Sequence, residues 1–200
     1  KNRDLIKVLS GVRRSGKSTL LAMFQQDLKE QGVQDENIIA INFEYMEFEE
    51  LTDYRKLHDY VLSKVDKNKK NYVFLDEIQH VQNFEKVVDS LYIRDYIDLY
   101  ITGSNAFFLS GELATLLTGR YIEQHVLPLS FQEFKQWHTE NNPTIQQLSN
   151  RDLYAMYTRS SFPYTLAMTN QQETYDYLQA VYASVMFKDE RWIRKFEQQL

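Results

Sequence analysis

Residues Gly11 to Ser18 read G-V-R-R-S-G-K-S and meet the pattern G-x-x-x-x-G-K-[ST] at every fixed position. The run constrains the fold through what flanks it. Leu5-Ile6-Lys7-Val8-Leu9 reads as a short buried strand, and Thr19 to Lys29 carries apolar residues at helical spacing. A strand that passes through a tight glycine loop straight into a helix fits a parallel α/β sheet. The residue types suit a bound triphosphate. Gly11 and Gly16 let the backbone turn sharply and bring N–H groups against phosphate oxygens. Lys17 supplies a point charge for the β and γ phosphates, and the Ser18 hydroxyl suits Mg²⁺ coordination. The helix N-terminus that follows favours anions. Gly11, Val12, Arg13, Arg14, Ser15, Gly16, Lys17, Ser18 and Thr19 are therefore the candidate nucleotide-binding residues. Arg13 and Arg14 fall at variable positions, open to solvation or to a polyanion.

The rest of the chain keeps the alternation. Strands are predicted at Asn37–Phe43, Tyr72–Leu75, Leu99–Ile101 and Tyr121–Leu127, the last ended by Pro128. Helical spacing is read over Leu51–Val65, Phe84–Arg94 and Gly111–Leu117. From Ser130 the pattern becomes wholly helical: Phe131–Thr139, Ser149–Tyr157 and Gln171–Phe187. The expected organisation is an α/β nucleotide-binding core over residues 1–129 and a helical segment over 130–200. The chain opens on Lys1 almost directly in the first strand, so anything preceding that strand, part of an adenine pocket included, is expected to be missing.

Composition removes several classes of function. Cysteine is absent, and the four histidines are scattered, which leaves no disulfide framework and no zinc-ligand pattern. A net charge of −5 argues against a nucleic-acid coat, although the lysine-bearing run Lys64 to Lys70 keeps a local basic patch open. No apolar stretch approaches the ~18 residues of a membrane span, and no secretion signal is seen, so a cytoplasmic location is expected.

Chemistry concentrates at strand ends. The run Y-V-F-L-D-E puts Asp76 and Glu77 at the carboxyl end of a buried central strand, where open α/β sheets bind ligands. Asp76 is placed to hold Mg²⁺, and Glu77 is the candidate for polarising an attacking water. The sequence T-G-S-N after the fourth strand offers Thr102, Ser104 and Asn105 as a polar sensor of the γ-phosphate, with Ser104 the first choice. Asn42, on the second strand, is a candidate to hydrogen-bond Glu77 and gate it, with Glu44 as a competing polar group. Arg120, just before the fifth strand, is a candidate to stabilise charge on the transferring phosphoryl group, in its own subunit or a neighbouring one, or else a salt-bridge partner.

With these residues assembled, the chain resembles a family of prokaryotic AAA-type ATPases whose members usually carry a further C-terminal domain. The resemblance covers about residues 5 to 170. It rests on Ile6–Leu21, I-N-F-E (Ile41–Glu44), F-L-D-E-I-Q (Phe74–Gln79), S-L-Y (Ser90–Tyr92), Y-I-T-G-S-N-A (Tyr100–Ala106), L-T-G-R-Y (Leu117–Tyr121) and P-L-S-F-Q-E-F (Pro128–Phe134). It implies ATP as nucleotide, Mg²⁺ as cofactor and a sheet of strand order 5-1-4-3-2. It also implies matching roles for Lys17, Ser18, Asp76, Glu77, Ser104 and Arg120. Two departures stand out. Ser160-Ser161-Phe162-Pro163 replaces the family's usual Gly-Gly-aromatic-Pro turn, and the chain stops at Leu200, where the family's C-terminal domain would be starting.

The expected function is a Mg²⁺-dependent ATP-binding and ATP-hydrolysing module that drives or gates a partner domain. Lys17, Glu77, Ser104 and Arg120 form the catalytic set, and Ser18 and Asp76 the metal set. If Arg120 acts in trans, a homo-oligomer is required. Two rivals remain: a nucleotide-gated interaction switch with slow hydrolysis, and a nucleic-acid-stimulated motor, which the acidic charge does not favour. A small-molecule kinase fits less well, because the Asp76–Glu77 pair suits water as acceptor. The protein partner is not legible, and no membrane association is expected.

Overall fold

The computed structural model describes residues 5–103, 119–142, 148–168 and 170–188, with side chains through residue 184. The chain divides into two compact units. One comprises Lys1–Gly11 with Lys17–Val126, the other Val12–Gly16 with Leu127–Leu200.

The first unit is a five-stranded parallel sheet. Its strands are β1 (Ile6–Ser10), β2 (Ile38–Asn42), β3 (Asn71–Asp76), β4 (Ile97–Thr102) and β5 (Tyr121–His125). They lie in the order β2-β3-β4-β1-β5, the 5-1-4-3-2 arrangement implied by the resemblance, read from the other edge. Register is set by pairs such as Val8 with Ile101 and Ile41 with Leu75. Because successive strand residues point to opposite faces, β3 feeds two cores at once. Val73 and Leu75 join Ile6, Val8, Ile39, Ile41, Leu99 and Ile101 on one face. That face is covered by α2 (Tyr54–Lys64) and α3 (Phe84–Tyr92), which bury Leu57, Val61, Val87, Val88 and Leu91. Phe74 points the other way and stacks on Tyr100 at 4.8 Å, with Phe24 edge-on at 6.1 Å. There α1 (Lys17–Glu30) contributes Leu21 and Leu28. Each such apolar side chain adds about 1.5–3 kcal/mol when fully buried, so this double-sided burial is the main force holding the central strands in place.

Local chemistry sets the boundaries. The helical spacing from Leu51 does not become a single α-helix. Met46–Thr52 forms a 3₁₀ segment, and α2 starts only after Asp53, whose carboxylate accepts the Arg55 and Lys56 N–H groups. Asn71, fully buried, donates its side-chain amide to the carbonyls of Asp66 and Lys69 at 2.8 and 2.9 Å, and to that of Tyr96 at 3.2 Å. It thereby fastens the turn ahead of β3 to the start of β4. Gly111–Leu117, read as a helix in the sequence, lies outside the described residues.

In the second unit, α4 (Phe131–Asn141), α5 (Asn150–Tyr157) and α6 (Gln171–Lys188) follow one another. Capping boxes start the first two, Ser130 with Glu133 and Ser149 with Asp152. Phe131 and Phe134 pack edge-on against Tyr157. The Ser160–Pro163 turn uses no left-handed residue, so serine is accommodated where the family usually has glycine. The Ser160 hydroxyl accepts the Phe162 N–H at 3.3 Å, and Pro163 opens a 3₁₀ turn to Ala167.

Candidate nucleotide site at the carboxyl end of the sheet

Chain direction alone puts the ends of β1, β3 and β4 together. In a parallel sheet all carboxyl ends share one rim, so Ser10-Gly11, Asp76-Glu77 and Thr102-Gly103 are neighbours by topology. The loop beyond β1 is built from unusual backbone angles. Gly11 has φ 143° and Gly16 φ 103°, values that side-chain-bearing residues rarely adopt, and Arg14 has φ 65°. Ser15 N–H closes the turn onto the Val12 carbonyl at 3.3 Å. Ser15 Oγ is buried with no hydrogen-bond partner among the described residues. Buried hydroxyls are normally satisfied, so this loop fits an oxygen-rich anion such as a phosphate group. Within the same unit, a Cβ on Gly16 would lie 3.8 Å from Pro163, and the Arg14 guanidinium sits 5.0 Å over the Tyr177 ring.

Lys17 begins α1 with its side chain 3% exposed and Nζ donating to the Gly11 carbonyl at 3.2 Å. On β3, Asp76 is 6% exposed. Asn42 Nδ2 donates to its Oδ2 at 2.9 Å, the Thr102 hydroxyl donates to its Oδ1, and the Ser18 hydroxyl also hydrogen-bonds it. Burial pushes the Asp76 carboxyl above the usual carboxylate range. The hydrogen bonds from Thr102 and Ser18 oppose that shift, the Glu77 charge adds to it, and Lys17 opposes it. A desolvated carboxylate beside a serine hydroxyl is a hard oxygen donor set that suits Mg²⁺. Asp76 and Ser18 would hold the ion.

Glu77 follows in a left-handed conformation, φ 56° and ψ 45°. For a residue with a side chain this costs about 1–3 kcal/mol and persists only where surroundings enforce it. Here its N–H donates to Thr102 Oγ1 at 3.0 Å, and its carboxylate accepts from Gln79 Nε2. The turn takes Glu77 off the strand axis, so the two adjacent acids face different partners. Glu44 and His80 each bring a ligand-type atom within 4.8 Å of the Glu77 carboxylate.

The structure thus gathers Lys17, Ser18, Asp76 and Glu77 in the first unit. It departs from the sequence reading at Asn42 and bears on two further candidates. Asn42 binds Asp76 rather than Glu77, because the register pairs it with Asp76 across β2 and β3. Thr102, the last residue of β4 and one of three polar candidates at its end, is the hub between both acids, while Ser104 and Asn105 lie outside the described residues. Arg120 precedes β5, whose Tyr121 pairs with Ile6 at the start of β1. It therefore sits at the opposite end of the sheet from its own loop, about 16 Å away over five strand residues. There it forms an ion pair with Asp89 and lies 5.8 Å over the Tyr92 ring. That place leaves the role within its own site without geometric support. Gln79 has no role in the sequence reading, where it stands only as the last residue of the F-L-D-E-I-Q motif.

Comparison with known proteins adds four findings. Residues 3–135 match the model of a family described as AAA domain. An uncharacterised protein of Haemophilus influenzae is 40% identical over 191 residues, which span 94% of this chain and 47% of that protein. One from Methanocaldococcus jannaschii is 37% identical over 153 residues, 70% of this chain and 32% of that protein. The chain thus spans less than half the length of these curated relatives. Among solved structures, AMPPCP-bound DnaA from Aquifex aeolicus superposes with a TM-score of 0.51 at 13% identity, covering 96% of this chain and 59% of that one. Such a likeness shows the fold. No helix among the described residues is long and apolar enough to cross a membrane.

Proposed function

This chain belongs to the AAA domain family, and from that premise we propose that it is a Mg²⁺-dependent module that binds and hydrolyses ATP. The observation that carries the reading is the pairing of a buried, triply hydrogen-bonded Asp76 with an adjacent Glu77 turned onto separate partners. Lys17 and the loop N–H groups hold the β and γ phosphates. Ser18 and Asp76 would hold Mg²⁺, whose charge would offset that on the phosphate oxygens. Glu77 orients the attacking water and takes its proton. Thr102 keeps both acids in register.

The place of Arg120, at the sheet end away from its own loop, favours its action on a neighbouring copy in a homo-oligomer. Release of Arg120 from Asp89 would then accompany assembly. A nucleotide-gated switch is the second reading. It is favoured by Arg14 lying over Tyr177 of α6, since phosphate in the loop competes for the same guanidinium.

Steady-state ATP turnover measured across protein concentration, with and without Mg²⁺ and with and without DNA, tests the proposal. Mg²⁺-dependent turnover that rises with concentration and ignores DNA is expected. Tight ATP binding with undetectable turnover would leave the switch, and stimulation by DNA would revive a motor.

A further inference from the structure

The left-handed turn at Glu77 brings a second side chain onto the carboxylate. Residues two apart on a strand share a face nearly 7 Å apart, and on a helix they do not face each other. Here the chain leaves β3, turns at Glu77 and continues as a 3₁₀ turn over Ile78–His80. That path carries the Gln79 amide back to donate to Glu77 Oε2. The backbone around the pair is pinned on every side. Glu77 N–H bonds Thr102. Ile78 and Val81 are 0% and 2% exposed in the core. Val81 N–H bonds the Ile78 carbonyl at 2.9 Å, and Gln82 N–H bonds Thr52 at 3.1 Å. Asn42, the sequence's candidate to hold Glu77, is engaged with Asp76 instead.

We propose that Gln79 is the positioning residue for Glu77, resting on the reading above that Glu77 orients the attacking water. A carboxylate has about four acceptor sites. A donor fixed on Oε2 therefore sets the direction of Oε1, the oxygen that receives the water proton. A neutral amide does this without adding a charge that would weaken the base. It also holds the carboxylate in place against Glu44, whose like charge lies within 4.8 Å and would otherwise turn it away. Orientation of one oxygen is a large lever, since a displacement near 1 Å costs on the order of 10² in rate.

The test uses Gln79→Met, which keeps length and packing but has no donor, and Gln79→Glu, which keeps shape and adds a like charge. Both are expected to lower kcat about 10- to 100-fold, with KM and the ATP dissociation constant within about twofold of the parent. In single-turnover measurements on a Glu77→Gln background, Gln79→Met is expected to add no further loss, because its target is gone. A readout apart from activity is the Gln79 side-chain amide ¹H–¹⁵N resonance of the nucleotide-free chain, identified by its absence in Gln79→Met. It should move in Glu77→Ala. Unchanged or raised kcat in both variants, an equal loss in the Glu77→Gln background, or a resonance indifferent to Glu77→Ala would each overturn the inference. Parent turnover with unaffected variants overturns this inference alone. A parent chain that binds ATP without turning it over overturns the hydrolytic reading and this inference with it.

Discussion

Replacing Thr102 by valine removes one oxygen from the fully buried hub of the site. The side chain keeps its volume, so no cavity opens, and the effect isolates two hydrogen bonds. The Glu77 N–H, bonded to Thr102 Oγ1 at 3.0 Å, is left buried without its acceptor, at about 1–3 kcal/mol. The bond donated to the Asp76 carboxylate is lost as well, about 1.5–3 kcal/mol for a charged acceptor. A methyl in place of a hydroxyl returns roughly 1 kcal/mol of apolar burial. The net expectation is a loss of about 2–4 kcal/mol, or roughly 5–12 °C in melting temperature for a chain of this size. Thr102→Ser keeps the oxygen and gives up only the methyl, so it should fall by about 1 kcal/mol. Urea unfolding of the nucleotide-free chain at neutral pH, followed by far-ultraviolet circular dichroism, resolves the two. A valine variant within about 0.5 kcal/mol of the parent, or one more stable than the serine variant, would refute the account of Thr102 as the hub.

Other expectations follow from the charges. Because burial raises the Asp76 carboxyl above its ordinary 3.8, the folded state binds that proton more tightly than the unfolded chain. Its contribution to stability therefore falls as pH rises through the raised value. Asp76→Asn should accordingly melt higher than the parent at pH 7 without nucleotide or metal, while losing Mg²⁺-dependent turnover; a lower melting temperature contradicts this. His138 is held below its ordinary 6.5 by burial, so its stabilising effect is complete above that pH and declines as pH drops beneath it. A His138→Gln variant should flatten the thermal stability profile between about pH 7 and 5.5, and an unchanged slope would discount the residue. Removing the half-exposed Arg120–Asp89 pair with Arg120→Ala should cost no more than about 1 kcal/mol. If Arg120 acts in trans, turnover should nonetheless fall by about 10³ or more; turnover within twofold of the parent removes it from the mechanism.

How much of this was legible in the sequence varies with the physics behind each feature. The loop from Gly11 to Ser18 and the acids at Asp76 and Glu77 were readable because buried strands and helical spacing leave strong patterns around them. The strand order was not carried by periodicity and came through the family resemblance. The partner of Asn42 is not legible because cross-strand pairing depends on register, and a single residue of register decides whether it meets Asp76 or Glu77. The left-handed turn at Glu77 has no glycine to announce it. It is imposed by Thr102 and the buried Ile78, contacts 25 residues away or visible only in the packed core. Gln79 was illegible for the same reason, since two-residue spacing implies contact only after that turn is known. Asn71 reads as an ordinary polar residue at the start of a strand, and its five side-chain hydrogen bonds come from segments that the fold brings together.

The central claim is that Glu77 converts a triphosphate-binding loop into a hydrolytic site. Glu77→Gln keeps the shape of the side chain and removes its capacity to accept the water proton. ATP affinity and turnover should be measured together on the same protein. The account predicts binding within a few-fold of the parent and turnover lower by about 10²–10⁴. Undiminished turnover in Glu77→Gln would contradict it.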